Sequence, residues 1–537
     1  MNLLKKILYT GAVAAAAACM LFSAAGRLEL KAAGITIMAS GTAVTVENAV
    51  IQGSDVVVKA GTRNVPSSDD GVYHLFAQEC YQSGAEGTEV AVAPAASDAV
   101  FTFPLNKNTA SSNLFKKFVV VVYKSGVPTV VSNACYITNP EATATHTASR
   151  HDGGGKKGLL QDSALLDGNL NDLTALGIHQ VTYNLNVGNA IKPGDISYTY
   201  DGVTYHFDGP TIRSYDKIVP QLNAKGVSVT LILLNNFAGD PSLIHPLSYD
   251  GLGTSNYYAY NTANESGVKK MEAFAAFLGE RYSGKYGTVD NWVIGNEINA
   301  RQEWNYITPV IGVDGAAAEY AKALRIFYNG IRSQNANARV YASIDHEWNR
   351  ASNPALHYPG KAFLNSLNNY IIAEGNFAYG IAHHPYNYDL HLPQVWMPVG
   401  HVNHTPNSNY ITMENIDVLT DYLQQQTFLA PDGSVRSVLC SEVSYNSNPA
   451  YGNEFLQAAA TVYGYLQCVY NQHIDGFFPR ETDAFEEVAQ GLSLGLMNPD
   501  YSHKLAYTWY AKAMDPEIIT EASAIAGVNF MEMFRLR

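Results

Sequence analysis

The sequence predicts an α/β protein: a (β/α)8 TIM barrel behind an N-terminal β-sandwich domain. Three observations carry this expectation. Residues 34–138 alternate with the period of two that half-buried strands show. From residue 157 onward, short apolar runs alternate with helical segments, as βα units around a parallel sheet do. Those units number eight. The 537 residues leave room for one large barrel plus an accessory module, and 47% hydrophobic against 15% charged residues implies a sizeable core.

In chain order, Lys5-Lys6 comes first, followed by "ILYTGAVAAAAACMLFSAAG", an apolar stretch that runs into small residues. Residues 1–33 are therefore expected to be a secretory signal peptide, with an uncleaved membrane anchor as the alternative that this length also permits. Cys19 follows Ala-Ala as a lipoprotein cysteine would, but the usual Leu is missing and apolar residues continue past it. The chain is expected to be secreted or held at the cell surface, where disulfides are permitted. Cys80, Cys135, Cys440 and Cys468 then remain. Cys80 and Cys135 share the β-rich segment and form the candidate pair. Cys440, inside an apolar run, reads as a small buried hydrophobe.

Residues 34–140 read as a β-sandwich accessory domain, with "TAVTVENAVI", "SDVVVKA", "FVVVVYKSG" and "PTVVSNACYI" between Gly, Pro, Ser and Asp turns. Residues 141–156, rich in Thr, Ala and Gly, read as a linker. The barrel is expected over 157–537. Its strands are "KGLLQ" (157–161), "HQVTYNLNV" (179–187), "VSVTLILLNN" (227–236), "DNWVIGNE" (290–297), "ARVYASIDH" (338–346), "AYGIAHH" (378–384), "RSVLCSE" (436–442) and "DGFFPRE" (475–481). Strand one is short and rests on the count. A hairpin is expected at "YTYDGVTYHFDG" and a closing helix at "SHKLAYTWYAKAM".

Charge narrows the partners. The formal net charge, −14, argues against a phosphate-backbone ligand, so no nucleic acid is expected. The 35 tyrosines suit uncharged, hydroxyl-rich ligands, because Tyr offers a stacking face and a polar tip. Apart from the N-terminal segment, no stretch is long and apolar enough to span a bilayer.

In such barrels chemistry sits at the C-terminal ends of the strands. Glu297 ends strand four and Glu442 ends strand seven, each after an apolar run. A charged carboxylate in that setting is costly unless something uses it. Two carboxylates across a sugar are what glycoside hydrolysis requires: one protonates the leaving oxygen, the other attacks the anomeric carbon or activates water. That chemistry calls for no cofactor and no metal.

Asn296-Glu297 at the end of strand four, with Glu442 at the end of strand seven, resembles clan A of the retaining glycoside hydrolases, the 4/7 barrels. The resemblance covers about residues 157–515. It implies that Glu297 is the acid/base, Glu442 the nucleophile and Asn296 the partner of the sugar 2-hydroxyl. "HHPYNY" supplies His384 and Tyr386 where the clan often carries an aromatic or His-x-Tyr element after strand six. The tail "GLMNPDYSHKLAYTWY" is similar to the clan's strand-eight loop and last helix. The strand-eight Trp of many members is absent, and Arg480 or Phe478 stands near its place. "YNTANESGVKK" and "IGNEINARQEWN" look like a poorly characterised bacterial family of such barrels.

Further candidates for sugar contact lie at strand ends. Asn184 and Asn186 end strand two, and Asn235 and Asn236 end strand three, where capping and turn roles compete. Asp345, Glu347, Asp162 and Glu481 are strand-end acids with structural or hydrogen-bonding roles to compete. Trp304, Trp348 and Trp396 could stack on sugar faces, with core packing as the rival reading. Tyr445 follows strand seven. The loop 383–404 holds His383, His384, His391, His401 and His404. Five histidines raise a metal site, but Pro385, Pro393 and Pro398 mark an irregular loop without a helical His pair. Two other classes stay open: a carbohydrate-binding or cell-surface barrel without activity, and a metal-dependent hydrolase using loop 383–404.

Overall fold

The computed structural model describes residues 42–151, 154–162, 170–397 and 399–534. The expected signal peptide, 1–33, lies outside them. Eight parallel strands build one sheet: β1 (Gly158–Leu160), β2 (Gln180–Asn186), β3 (Ser228–Leu234), β4 (Asn291–Ile294), β5 (Arg339–Ile344), β6 (Tyr379–His383), β7 (Val438–Cys440) and β8 (Ile474–Phe477). Each pairs with the next in sequence. The ring closes through parallel bridges Lys157–Phe477 and Leu160–Arg480, with Leu160 N donating to Pro479 O and Glu481 N to Leu160 O, each at 2.9 Å. The architecture is the expected (β/α)8 barrel.

β1 is three residues long, and its brevity has a steric side. A Cβ on Gly158 would lie 2.5 Å from the Phe478 ring and 2.8 Å from Phe477 O. Only glycine lets the first and last strands approach this closely.

The helices that follow the strands are α1 (Asn171–Leu176), α2 (Gly209–Ala224), α3 (Glu265–Arg281), α4 (Gly312–Arg332), α5 (Gly360–Ala373), α6 (Asp417–Leu423), α7 (Glu454–Tyr470) and α8 (Leu505–Ala511). α3 buries Met271, Phe274, Phe277 and Leu278 on one face. Its start is set by Asn264, whose side chain accepts from Gly267 N, and Asn453 caps α7 through Leu456 N. Such caps contribute about 1 kcal/mol each. Between β2 and α2, Ile196–Tyr200 and Val203–Phe207 form the expected hairpin. Its turn residues Asp201 and Gly202 have φ of 51° and 79°, the Asp-Gly turn whose twist suits paired strands.

Two antiparallel sheets precede the barrel. One orders Thr45–Gln52, Asp55–Gly61 and Asp98–Pro104; the other orders Thr88–Pro94, Val72–Gln78, Lys117–Lys124 and Val127–Val130, with Cys135–Tyr136 also paired to Lys117–Lys124. Their core is continuous with that of the barrel. Asn329 Nδ2 of α4 donates to Leu114 O at 3.1 Å, and Tyr136 N donates to Glu374 O at 2.9 Å.

The described part of the expected linker is bound rather than free. His146 bridges Asn335, Arg150 donates to Asn291 Oδ1 at 2.7 Å, and His151 N donates to Asp290 Oδ1 at 2.9 Å. Thr- and Ala-rich composition reports a backbone without a core of its own; these contacts with the base of the barrel come from the backbone at His146 and His151 and from the Arg150 side chain. The Cys80–Cys135 pair is not bonded, and all four described cysteines are buried free thiols. Cys80 Sγ faces Thr262 O, whereas Cys135 Sγ faces Tyr136 O. No helix among the described residues is long and apolar enough to cross a membrane.

Candidate active site

Ile232, Leu234, Val293, Tyr341, Ala382, Leu439 and Phe478 fill the barrel interior, with Tyr257 and Trp304 packed against them. Beyond this plug each strand ends in polar residues. After β4 the chain turns through Gly295, φ 76°, and Glu297, φ 38°. A left-handed glutamate is uncommon and costs of order 1–3 kcal/mol, so neighbours must hold it. Glu297 N donates to Ser343 Oγ of β5 at 2.9 Å, and Ile298 N donates to Ser343 O at 3.0 Å.

His384, directly after β6, ties the two carboxylates together. Its Nδ1 lies 2.8 Å from Glu297 Oε1 and 3.9 Å from Glu442 Oε2. Those two oxygens therefore lie no more than roughly 7 Å apart, a bound that includes the 5–5.5 Å of retaining glycosidases and reaches the low end of the inverting range. The Glu297 and Glu442 side chains are 18% and 21% exposed, open enough for a substrate to reach. Tyr386 OH donates to Glu442 Oε1 at 2.6 Å. Burial, and then the Glu442 charge, push the Tyr386 hydroxyl well above its ordinary range, so it stays a donor.

The Glu297–His384 pair carries charge. Burial acts to raise Glu297, but the hydrogen bond and positive charge of His384 outweigh it and hold the carboxyl below its ordinary range. Burial likewise acts to lower His384, and the bond and charge of Glu297, with Glu442 and Asp345 beyond, raise it overall. Asp345, after β5, is pushed up to about 8 by burial first and by the Glu297 charge second. Its Oδ1 accepts from Asn299 Nδ2 at 2.6 Å and from Glu347 N at 2.8 Å.

Several expected residues share this mouth. Asn296 is buried beside Glu297. Asn184 is exposed and pairs in register with the interior Ile232, which puts it on the inner face of the sheet. Burial acts to lower Arg480, and the Glu442 and Glu487 charges beside it raise its pKa overall; its Nη1 reaches both Glu487 oxygens at 2.6 Å. Trp304 is half-buried and stacks on Tyr257, with centroids 5.1 Å apart and planes 6° apart.

Others do not join the site. Asn235 spends its amide on Leu243 O, Tyr258 O and Ala259 O, bracing the loop after β3, and Asn236 Oδ1 accepts from Gly188 N. Trp348 is buried, donates to Pro406 O and packs edge-on to Tyr422. Trp396 packs against Tyr463 and Phe530. Tyr445 is buried with its hydroxyl against Gly464 of α7. For Trp348, Trp396 and Tyr445, packing won over sugar contact, because their loops fold back on the helices. Glu481, raised to about 7 by burial, accepts from Asp162 N at 3.0 Å.

Among the described residues, the histidines of loop 383–404 disperse to separate partners. His383 faces Ile411 O and is driven down to about 3 by burial, staying neutral. His391 pairs with Asp389, His401 contacts Asn409, and His404 lies between Asp417 and Glu414 at 2.9 and 3.0 Å. Pro398 lies outside the described residues.

Asn299, Ser343, Tyr257 and His357 escaped the sequence reading. Ser343 carries a weak signal, two residues before Asp345 on the same strand. Asn299, Tyr257 and His357 lie on loops, where no periodicity points to a role.

Many solved structures are similar to this chain, among them the following three. One is a family 39 glycoside hydrolase from the gut symbiont Bacteroides cellulosilyticus WH2, 13% identical over 86% of this chain and 79% of that chain, TM-score 0.45. The second is a hyperthermophilic β-glucosidase from Pyrococcus furiosus, 16% identical over 69% and 88%, TM-score 0.44. The third is a β-glucuronidase from an uncultured Clostridium sp., 10% identical over 87% and 68%, TM-score 0.35. No curated protein matches the sequence. Residues 149–533, most of the chain and all of its barrel strands, match the model of a family of unknown function, DUF5722, and the chain belongs to that family.

Proposed function

We propose that this protein is a retaining glycoside hydrolase acting on β-linked oligo- or polysaccharide, exported to the cell surface or beyond. One observation carries the reading: two strand-end carboxylates, Glu297 and Glu442, face one imidazole at 2.8 and 3.9 Å in the open mouth of a barrel. Export rests on Lys5-Lys6 and the apolar run that follows.

In the first step a Glu442 oxygen attacks the anomeric carbon as the bond to the glycosidic oxygen breaks, and Glu297 delivers a proton to that oxygen. Tyr386, bonded to Glu442 Oε1, holds the nucleophile in place. Because Glu297 is paired with His384, the proton it delivers is one the pair shares across the 2.8 Å bond. In the second step water adds to the anomeric carbon, its proton returns to Glu297, and the bond to Glu442 breaks.

The test is a screen of β-linked oligosaccharides with the wild type and Glu442→Ala, followed by NMR of the first anomer released. A β-anomer made by the wild type alone supports the reading. An inverted product overturns retention. Sugar binding without hydrolysis across the panel points to a binding barrel.

A further inference from the structure

Asp345, Glu347 and His357 stand together at the barrel mouth, each offering one ligand atom, with these atoms all within 4.8 Å of one another. His357 Nδ1 lies 3.4 Å from Glu347 Oε2 and 3.9 Å from Asp345 Oδ2. We propose that these three side chains form a binding site for a first-row divalent cation such as Zn2+ or Mn2+, which braces the loop carrying Glu297.

The carboxylates are held so that one oxygen of each faces His357. Asp345 Oδ1 is already occupied by Asn299 Nδ2 and Glu347 N, which orients the carboxylate and leaves Oδ2 toward His357. Glu347 Oε2 is fixed by Ser352 N at 2.9 Å. His357 Nδ1 is buried between the two carboxylates, paired with Glu347 Oε2 at 3.4 Å and within 3.9 Å of Asp345 Oδ2.

The spacing also fits. Ligand bonds of about 2.0–2.2 Å in a tetrahedral shell separate neighbouring donors by about 3.3–3.6 Å. The 3.4 Å pair meets that separation as it stands, the 3.9 Å pair needs a shift of a few tenths of an ångström, and the two carboxylate oxygens, within 4.8 Å of each other, would draw together on an ion. Two carboxylates with one imidazole suit a borderline first-row ion, whereas Ca2+ and Mg2+ prefer an all-oxygen shell. His357 is 21% exposed on its side chain, so an ion can arrive from solvent.

The ligands come from two segments, and a third is tied to them. Asp345 and Glu347 follow β5, and His357 lies in the loop before α5. Asn299, two residues past Glu297, bonds Asp345 in both directions: Nδ2 to Oδ1 at 2.6 Å, and Oδ1 from Asp345 N at 3.0 Å. Tyr358 N, next to His357, donates to Asn299 O at 2.8 Å. A cation here would clamp the loop that carries Glu297, a structural role independent of whether the glycosidase reading holds.

The experiment uses the full chain, stripped with EDTA, and reads metal content and thermal stability rather than turnover. Zn2+, Mn2+ and Ca2+ are each titrated calorimetrically, and bound metal is counted after gel filtration. One equivalent of Zn2+ or Mn2+ is expected, with a melting-temperature rise of about 3 °C or more at 100-fold excess over Kd. His357→Gln and Glu347→Gln should each weaken binding at least tenfold, while melting like the stripped wild type. Either variant suffices if the other fails to fold. Absence of stoichiometric binding overturns the proposal, as does binding that both folded variants retain, or binding of Ca2+ alone.

Discussion

His384 Nδ1 sits 2.8 Å from Glu297 Oε1, so the residue expected to donate a proton to the leaving group is held as one half of an ion pair. Mechanism and pH dependence both turn on this contact.

Glu297→Gln and Glu442→Gln should each abolish turnover, by roughly a thousandfold or more, since each removes one of the two groups the double displacement needs. Circular dichroism and melting temperature should change little, because both side chains are partly exposed. Retention of most activity by either variant would contradict the assignment.

Tyr386→Phe tests the nucleophile's support. A hydrogen bond to a charged group contributes about 1.5–3 kcal/mol, so kcat should fall roughly 10- to 100-fold with the fold intact. An unchanged kcat would mean that the 2.6 Å bond to Glu442 has no part in orienting it.

The pH profile follows from the shared proton. His384 is raised above 6.5 and Glu297 lowered below 4.5, so between those values the pair holds one proton, and above the raised His384 value it holds none. Kcat/KM should therefore fall as pH rises through a value above 6.5. A profile already collapsing near pH 5 would place the donated proton elsewhere.

His404 offers a stability test away from the chemistry. Hydrogen bonds that it donates to Asp417 and Glu414 raise it to about 10 in the folded chain. Its ordinary value is 6.5, so its stabilisation is full below pH 6.5 and disappears as pH climbs toward 10. The side chain is 47% exposed, so solvent screening makes the effect modest. The melting-temperature gap between wild type and His404→Gln should be largest near pH 6 and close by pH 10.

Trp304→Ala removes one ring of the Trp304–Tyr257 stack. If that stack is a sugar platform, KM for oligosaccharides should rise about 5- to 100-fold, the worth of a 1–3 kcal/mol contact, with kcat much less affected. Equal KM values would return Trp304 to a packing role.

Much of this was legible in the chain. Glu442 was found by counting strands from Glu297, because a parallel barrel repeats one unit and puts every strand's end on the same rim. The three-residue β1 survived the same way: its pattern is weak, and closure of the ring demanded it. Aromatic residues were harder. Trp304, Trp348 and Trp396 all follow strands, yet only Trp304 reaches the mouth. Loop paths decide that, and they follow from contacts distant in sequence, such as Trp348 with Pro406.

The sequence by itself determined the fold class, the eight-unit order and the two carboxylates, because periodicity and strand ends are local properties of the chain. Only the tertiary structure decided what surrounds those carboxylates: the left-handed turn at Glu297 held by Ser343, the imidazole between Glu297 and Glu442, and the Asp345–Glu347–His357 group. Each joins residues from different βα units, and the energy of such contacts depends on distances that exist only once the barrel has closed.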